Sequence, residues 1–170
     1  MTVRNSLRLI LAKTKPMPEH ELDIQWCVTD RTHLPDEQLI RHWANISLSE
    51  LVEHDVEVCL RIVDAGEIQS LNQRYRSKDK ATNVLSFPSD CGCVDENGRV
   101  LLGDIVICKE ITVSESEKQG KSVEAHFAHL LIHGLLHLQG HDHSVDDQAN
   151  KMEAIEIDLM KKLGYGNPYE

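Results

Sequence analysis

An α+β domain of mixed α/β layers is predicted, with a central, mostly parallel mixed sheet of about four strands and a buried histidine-bearing helix packed on it. Three observations lead there. The chain has 170 residues, which suits one domain with a real core. Strand-like and helix-like stretches interleave along it, and such alternation closes into layers around one sheet. Residues 122–139 read as a helix that is apolar almost all round, and a helix of that kind belongs in a core.

The elements follow in order. Residues 21–28, ELDIQWCV, alternate as a strand does. Pro35-Asp36-Glu37 opens a helix to about Asn45, with Pro at its start and acids in its first turn. Residues 56–64, VEVCLRIVD, form the clearest strand, alternating and β-branched. A helix over 65–76 leads into the polar loop SKDKATN, and VLSFP, 84–88, is a short strand stopped by Pro88. Residues 89–99 form a surface loop with a turn at Asn97-Gly98. GDIVICKEI, 103–111, is a buried strand, followed by a helix over 112–119 that ends near Gly120. The histidine helix carries Phe127, Leu130, Leu131, Ile132, Leu135, Leu136 and Leu138. A last helix spans 145–163, with Ser144 and Asp147 as its N-terminal cap and Gly164 at its C-terminus.

Composition narrows the function classes. Aromatic residues are 4% of the chain, so aliphatic side chains must fill the interior. No apolar run reaches the length of a membrane span. Arg8, Lys13 and Lys15 interrupt what a signal peptide would need. The expectation is a soluble, cytoplasmic protein: a single domain over 1–170, with an N-terminal extension over 1–19 ahead of a functional domain over 20–168. No membrane partner and no dinucleotide cofactor is expected. Of five cysteines, Cys27, Cys59 and Cys108 sit in apolar runs and read as reduced core residues. Cys91-Gly92-Cys93 is a metal or redox pair, or an accident of its loop; no second pair completes a closed site. The formal net charge of −10 argues against generic nucleic-acid binding. Arg74, Arg76, Lys78 and Lys80, in RYRSKDK, nevertheless form a candidate local basic patch, the feature on which nucleic-acid binding depends.

The chemistry concentrates in HGLLHLQGHDH, residues 133–143. His133 and His137 lie one helical turn apart on one face. Gly140 can end the helix, and His143 can fold back as a third ligand, with His141 as its rival. His129 and His137 are about 12 Å apart along the axis, too far for one ion. His129 is left as an outer partner, a substrate-side base or a core histidine. Three imidazoles with an open fourth position are the donor set of a catalytic zinc site, and imidazole suits Zn²⁺ better than Mg²⁺ or Ca²⁺. One Zn²⁺ per chain is the expected cofactor. Asp142 could orient a ligand or simply bond the turn backbone. Zinc peptidases with the H-E-x-x-H pattern carry a glutamate base beside the first histidine; here that position is Gly134.

These residues resemble the YbeY family, the bacterial rRNA-maturation and ribosome quality-control endoribonucleases. HGLLHLQGHDH resembles its H-G-x-L-H-L-x-G-Y-D-H signature. RIVDAGEIQSLNQRYRSKDKATNVLSFP, LLGDIVIC, HFAHLLIHG and the closing LGYGNPY resemble further family blocks, together covering about residues 56–168. The resemblance implies zinc on His133, His137 and His143. It implies a single-strand-specific endoribonuclease acting in late-stage 70S ribosome quality control and maturation of the 16S rRNA 3′ terminus. Its partners would be rRNA precursor, the small ribosomal subunit and ribosome-associated proteins. It places Arg76 in the cleft near the metal, where a guanidinium can hold a phosphate bidentately; the alternative is a solvated loop charge. His141 stands where the family has Tyr, as an extra ligand or proton donor, and Ala81 where it has Pro. Asn72 and Ser86 are cleft residues, or simply a helix-surface Asn and a strand Ser. Two other functions compete with RNA hydrolysis. One is a metzincin-like zinc peptidase, supported by the histidine spacing and opposed by Gly134. The other is a non-catalytic ribosome assembly factor with a structural metal, supported by the few aromatics available to stack on bases.

Overall fold

The computed structural model describes residues 19–142 and 146–170. The N-terminal extension up to residue 18, the Ser144 cap and the third expected metal ligand, His143, lie outside the described residues. The elements are β1 (Glu21–Trp26), α1 (Glu37–Leu51), β2 (Val56–Val63), α2 (Ala65–Arg76), β3 (Val84–Pro88), β4 (Val100–Cys108), α3 (Lys109–Gln119), α4 (Val123–Leu138) and α5 (Asp146–Lys162). The four strands form one sheet in the order β1-β2-β4-β3. β1 with β2 and β2 with β4 are parallel, and β3 is antiparallel to β4. The architecture is the expected mostly parallel mixed sheet.

Alternation along the strands divides the core in two. Val58, Leu60 and Ile62 of β2, with Ile105 and Ile107 of β4, meet Ile40, Trp43 and Leu48 of α1 and the apolar side of α4. On the opposite face Val63, Leu85 and Val106 pack under Ile68 of α2. Trp43 sits edge-on to Tyr165, with centroids 5.8 Å apart, and 6.4 Å from Phe127. It ties α1, α4 and the segment after α5 together. Helix starts are fixed by side-chain caps: Asp36 accepts from the Leu39 amide, Asp64 from Glu67 and Ser122 from Ala125.

Three expectations are corrected. Helix α1 continues beyond Asn45 to Leu51, because Ser47 and Leu48 extend the buried stripe of Ile40, Trp43 and Ala44. Strand β4 lies earlier than 103–111. Gly103 is inside it, at φ +130°, where a Cβ would come 2.2 Å from the Phe87 carbonyl oxygen, and α3 begins at Lys109 directly after it. Of the three supposed core cysteines only Cys108 is buried; Cys59 is half-buried and Cys27 exposed. Burial, aided by Asp104, pushes the Cys59 thiol up to about 12, and burial pushes Cys108 to about 11. Neither is a nucleophile near neutral pH. Cys91 and Cys93 are joined as a disulfide across Gly92. No helix among the described residues is long and apolar enough to cross a membrane.

Candidate metal centre and adjoining cleft

Helix α4 gives one side to the core and a histidine stripe to the other. His126, His129, His133 and His137 follow one another with ring centroids 6.5, 6.3 and 4.5 Å apart, as spacings of three and four on a helix require. On the core side, a Cβ added at Gly134 would lie 2.8 Å from Ile105 Cγ2. The glycine lets the helix press onto β4. The helix ends at a turn where Gly140 takes φ +84° and the His141 amide donates to the Leu136 carbonyl.

His133 and His137 turn their Nε2 atoms toward each other, 3.0 Å apart. Two nitrogens bound tetrahedrally to one zinc at ordinary bond lengths would be about 3.3 Å apart. The other nitrogen of His133, Nδ1, lies 2.7 Å from Glu156 Oε1. A carboxylate on Nδ1 fixes the ring and leaves Nε2 as the lone-pair nitrogen, the arrangement that metal-binding histidines commonly have. Glu156 comes from α5, is fully buried, and also receives the Tyr169 phenol; His129 Nε2 stands 3.5 Å from its second oxygen. Burial alone would raise this carboxyl. Hydrogen bonds from His129, His133 and Tyr169 outweigh it and bring the group down to about 2, so it is an anion at neutral pH. Among the described residues, His129, His133 and Glu156 form one group able to hold a metal ion, their ligand atoms all within 4.8 Å of one another. In that set Glu156 is already engaged by His133 and Tyr169 in an enclosed position.

A second polar cluster lies toward the start of α4. His126 Nε2 is 2.7 Å from Glu115 Oε2 of α3, and the Asn83 side-chain amide donates to the same oxygen at 3.0 Å. Burial holds the His126 imidazole below its ordinary value of 6.5; Glu115 opposes the shift, while His129 and Lys121 reinforce it. The unfolded chain therefore takes the proton first, and this site's contribution to stability is lost as pH falls below 6.5. Tm is expected to drop between pH 7.5 and 5.5, and to drop less in His126→Phe. An equal drop in both proteins would show that His126 is not the group responsible.

The basic segment is exposed: Arg74, Arg76, Lys78 and Lys80 all reach solvent. Arg74 lies over the Tyr75 ring, 5.5 Å from its centroid. Arg76 donates to the Ser86 carbonyl of β3 at 3.5 Å, and β3 packs against α4. Asn72 is no surface residue. It is buried, and its amide donates to the Lys80 carbonyl at 2.7 Å, fastening the loop; Ser86 is buried as well. His141 is half-buried and Asp142 exposed at the Gly140 turn. Sequence reasoning missed Glu156, Tyr169, Glu115 and Asn83. Glu156 left a signal: it shares a helical stripe with Met152, Leu159 and Met160, all buried, and a carboxylate on an apolar stripe needs partners.

The model of the family described as endoribonuclease YbeY matches residues 23–164. The solution structure of TM1509 from Thermotoga maritima is similar, with a TM-score of 0.52 and 24% identity. That similarity covers 88% of this chain and 99% of the other, and it shows a shared fold. Because the family model covers most of the chain, the chain belongs to the endoribonuclease YbeY family of metal-dependent nucleases that act in rRNA maturation.

Proposed function

We propose that this protein is a single-strand-specific endoribonuclease of the cytoplasm, holding one Zn²⁺ on His133, His137 and His143. Its proposed work is maturation of the 16S rRNA 3′ terminus and late-stage 70S ribosome quality control, with precursor rRNA, the small subunit and ribosome-associated proteins as partners. The observation that carries the reading is the 3.0 Å convergence of the His133 and His137 Nε2 atoms at the end of a helix. His143 follows the Gly140 turn at the spacing a third ligand needs. This set is preferred to His129, His133 and Glu156 because Glu156 is buried and already accepts from His133 and Tyr169.

When bound, such an ion supplies Lewis acidity, drawing charge from a phosphoryl oxygen and easing removal of a proton from water. The protein supplies the rest. Glu156 holds the His133 ring in one orientation. Arg76 is anchored by one N–H to Ser86, and a guanidinium has further donors with which to clamp a phosphate. His141 and Asp142 follow His137 at the Gly140 turn; we assign to them proton transfer at the leaving oxygen and orientation of a ligand. Arg74, Lys78 and Lys80 extend the cationic track.

Single-stranded RNA and casein, offered to metal-loaded protein, test the reading. RNA is expected to be cut and casein left intact. His137→Ala should abolish RNA cleavage, and Arg76→Glu should reduce it at least tenfold, since the substitution reverses a phosphate contact. Casein cleavage would establish a peptidase. No cleavage of either, with a lowered Tm in His137→Ala, would establish a structural metal. Four cations also limit the salt dependence: log K against log salt should have a slope no steeper than about −3 for single-stranded RNA.

A further inference from the structure

The cluster at the start of α4 is left unused by the proposed metal chemistry. A cleft of about 320 Å³ connects the two, running from His133 past His129 to His126, Glu115 and Asn83, with Pro168 and Tyr169 on its side. It has room for one nucleoside. No lysine or arginine is among its lining residues and a carboxylate stands at its far end, so a phosphate is repelled there. A base is not. The Tyr169 residue is 47% exposed although its phenol is tied to Glu156, and its ring meets His129 edge-on with centroids 5.4 Å apart. A ring held this way loses little freedom when a base stacks on it. At the far end both bonds from His126 and Asn83 fall on Glu115 Oε2, and the side chain is 31% exposed. Glu115 lines the cleft, and with Oε2 clamped by its two neighbours its Oε1 keeps acceptor capacity.

We propose that this cleft takes the base of a nucleotide next to the one whose phosphate meets the metal ligands, Tyr169 stacking on it and Glu115 accepting from its exocyclic amino group. His126 and His133 are about 10 Å apart along the helix, which places the base beside the reacting phosphate and not upon it. Cytosine, adenine and guanine offer an amino group. Uracil offers one N–H between two carbonyl oxygens, and a carboxylate is repelled by both. The pocket therefore selects against uracil at one position beside the cleavage point. His126 and Asn83 are positioning residues that aim Glu115. The inference rests on the RNA-hydrolase reading above.

Binding to short oligocytidine and oligouridine, read by fluorescence anisotropy with the full chain in EDTA, separates the two ideas. Wild type is expected to bind oligocytidine about tenfold more tightly than oligouridine, the size of one hydrogen bond to a charged group. Glu115→Gln should bring that ratio near one, because the amide can donate to a uracil oxygen. Tyr169→Ala should weaken both oligonucleotides about tenfold, whereas Tyr169→Phe keeps the stacking ring and most of the affinity. Circular dichroism establishes that each variant is folded. A wild-type ratio of one, or an unchanged ratio in folded Glu115→Gln, overturns the base pocket even if RNA is still cut in a His137-dependent way. If wild type neither binds nor cuts RNA, the underlying hydrolase reading fails and the pocket falls with it.

Discussion

Gly134→Glu is expected to leave no stably folded protein. The position is buried on α4 against β4, and even a methyl group there would lie 2.8 Å from Ile105. Overpacking a core contact costs about 1–3 kcal/mol, and an uncompensated buried charge adds about 3–5 kcal/mol. The sum is comparable with the whole stability of a typical domain, about 5–15 kcal/mol. Gly134→Ala should behave differently. The gain in helix propensity, about 1 kcal/mol, offsets part of the overpacking, so a net loss of about 0–2 kcal/mol is expected. Urea denaturation of the three proteins measures both. A Gly134→Glu protein with a near-wild-type midpoint would mean that α4 does not lie on β4 as described. The same geometry explains why the chain lacks the glutamate of zinc peptidases: the residue after the first histidine faces the sheet, where a general base could reach no substrate.

Glu156→Ala is expected to weaken metal binding about 10–100-fold, the usual cost of removing a carboxylate behind a metal-bound histidine. The loss of the anion leaves His133 Nδ1 and the Tyr169 phenol without the acceptor they share, and leaves His129 without the carboxylate 3.5 Å away. Each stranded polar group costs about 1–3 kcal/mol, so the variant should also melt early in EDTA. Glu156→Gln keeps one carbonyl oxygen for His133 and should recover part of the affinity. Competition against a chromophoric chelator gives the metal constant without reference to nuclease activity. If Glu156→Ala competes as well as wild type, the carboxylate does not orient His133.

Much of this was legible before any coordinates. The bounds of α2 and β3 coincide with the expected ones, because Asp64 caps one and Pro88 stops the other. The four-histidine stripe follows from helical spacing alone. Strand β4 was misplaced because Gly103 looks like a boundary, while its reason for being glycine is a carbonyl on the neighbouring strand. Cys27 looked like core because local alternation does not reveal that β1 is an edge strand and ends at Trp26, one residue short of the cysteine. Glu156, Glu115 and Tyr169 stayed hidden for a different reason. Each meets its histidine across a tertiary contact between separate elements, and no spacing rule along the chain encodes such a meeting. The role of His143 rests on its spacing and on the family.

The contacts of Tyr169 and Glu156 have a consequence for biosynthesis. A chain is made from its N-terminus at about 5–20 residues per second. The sheet and α4 precede residue 139, so they are synthesised before α5 and the segment carrying Tyr169. The histidines of α4 thus exist for a time without the carboxylate and phenol that hold them. A nascent chain should carry an unformed centre until α5 and the Tyr169 segment dock on α4, so the centre matures as one of the last steps of folding.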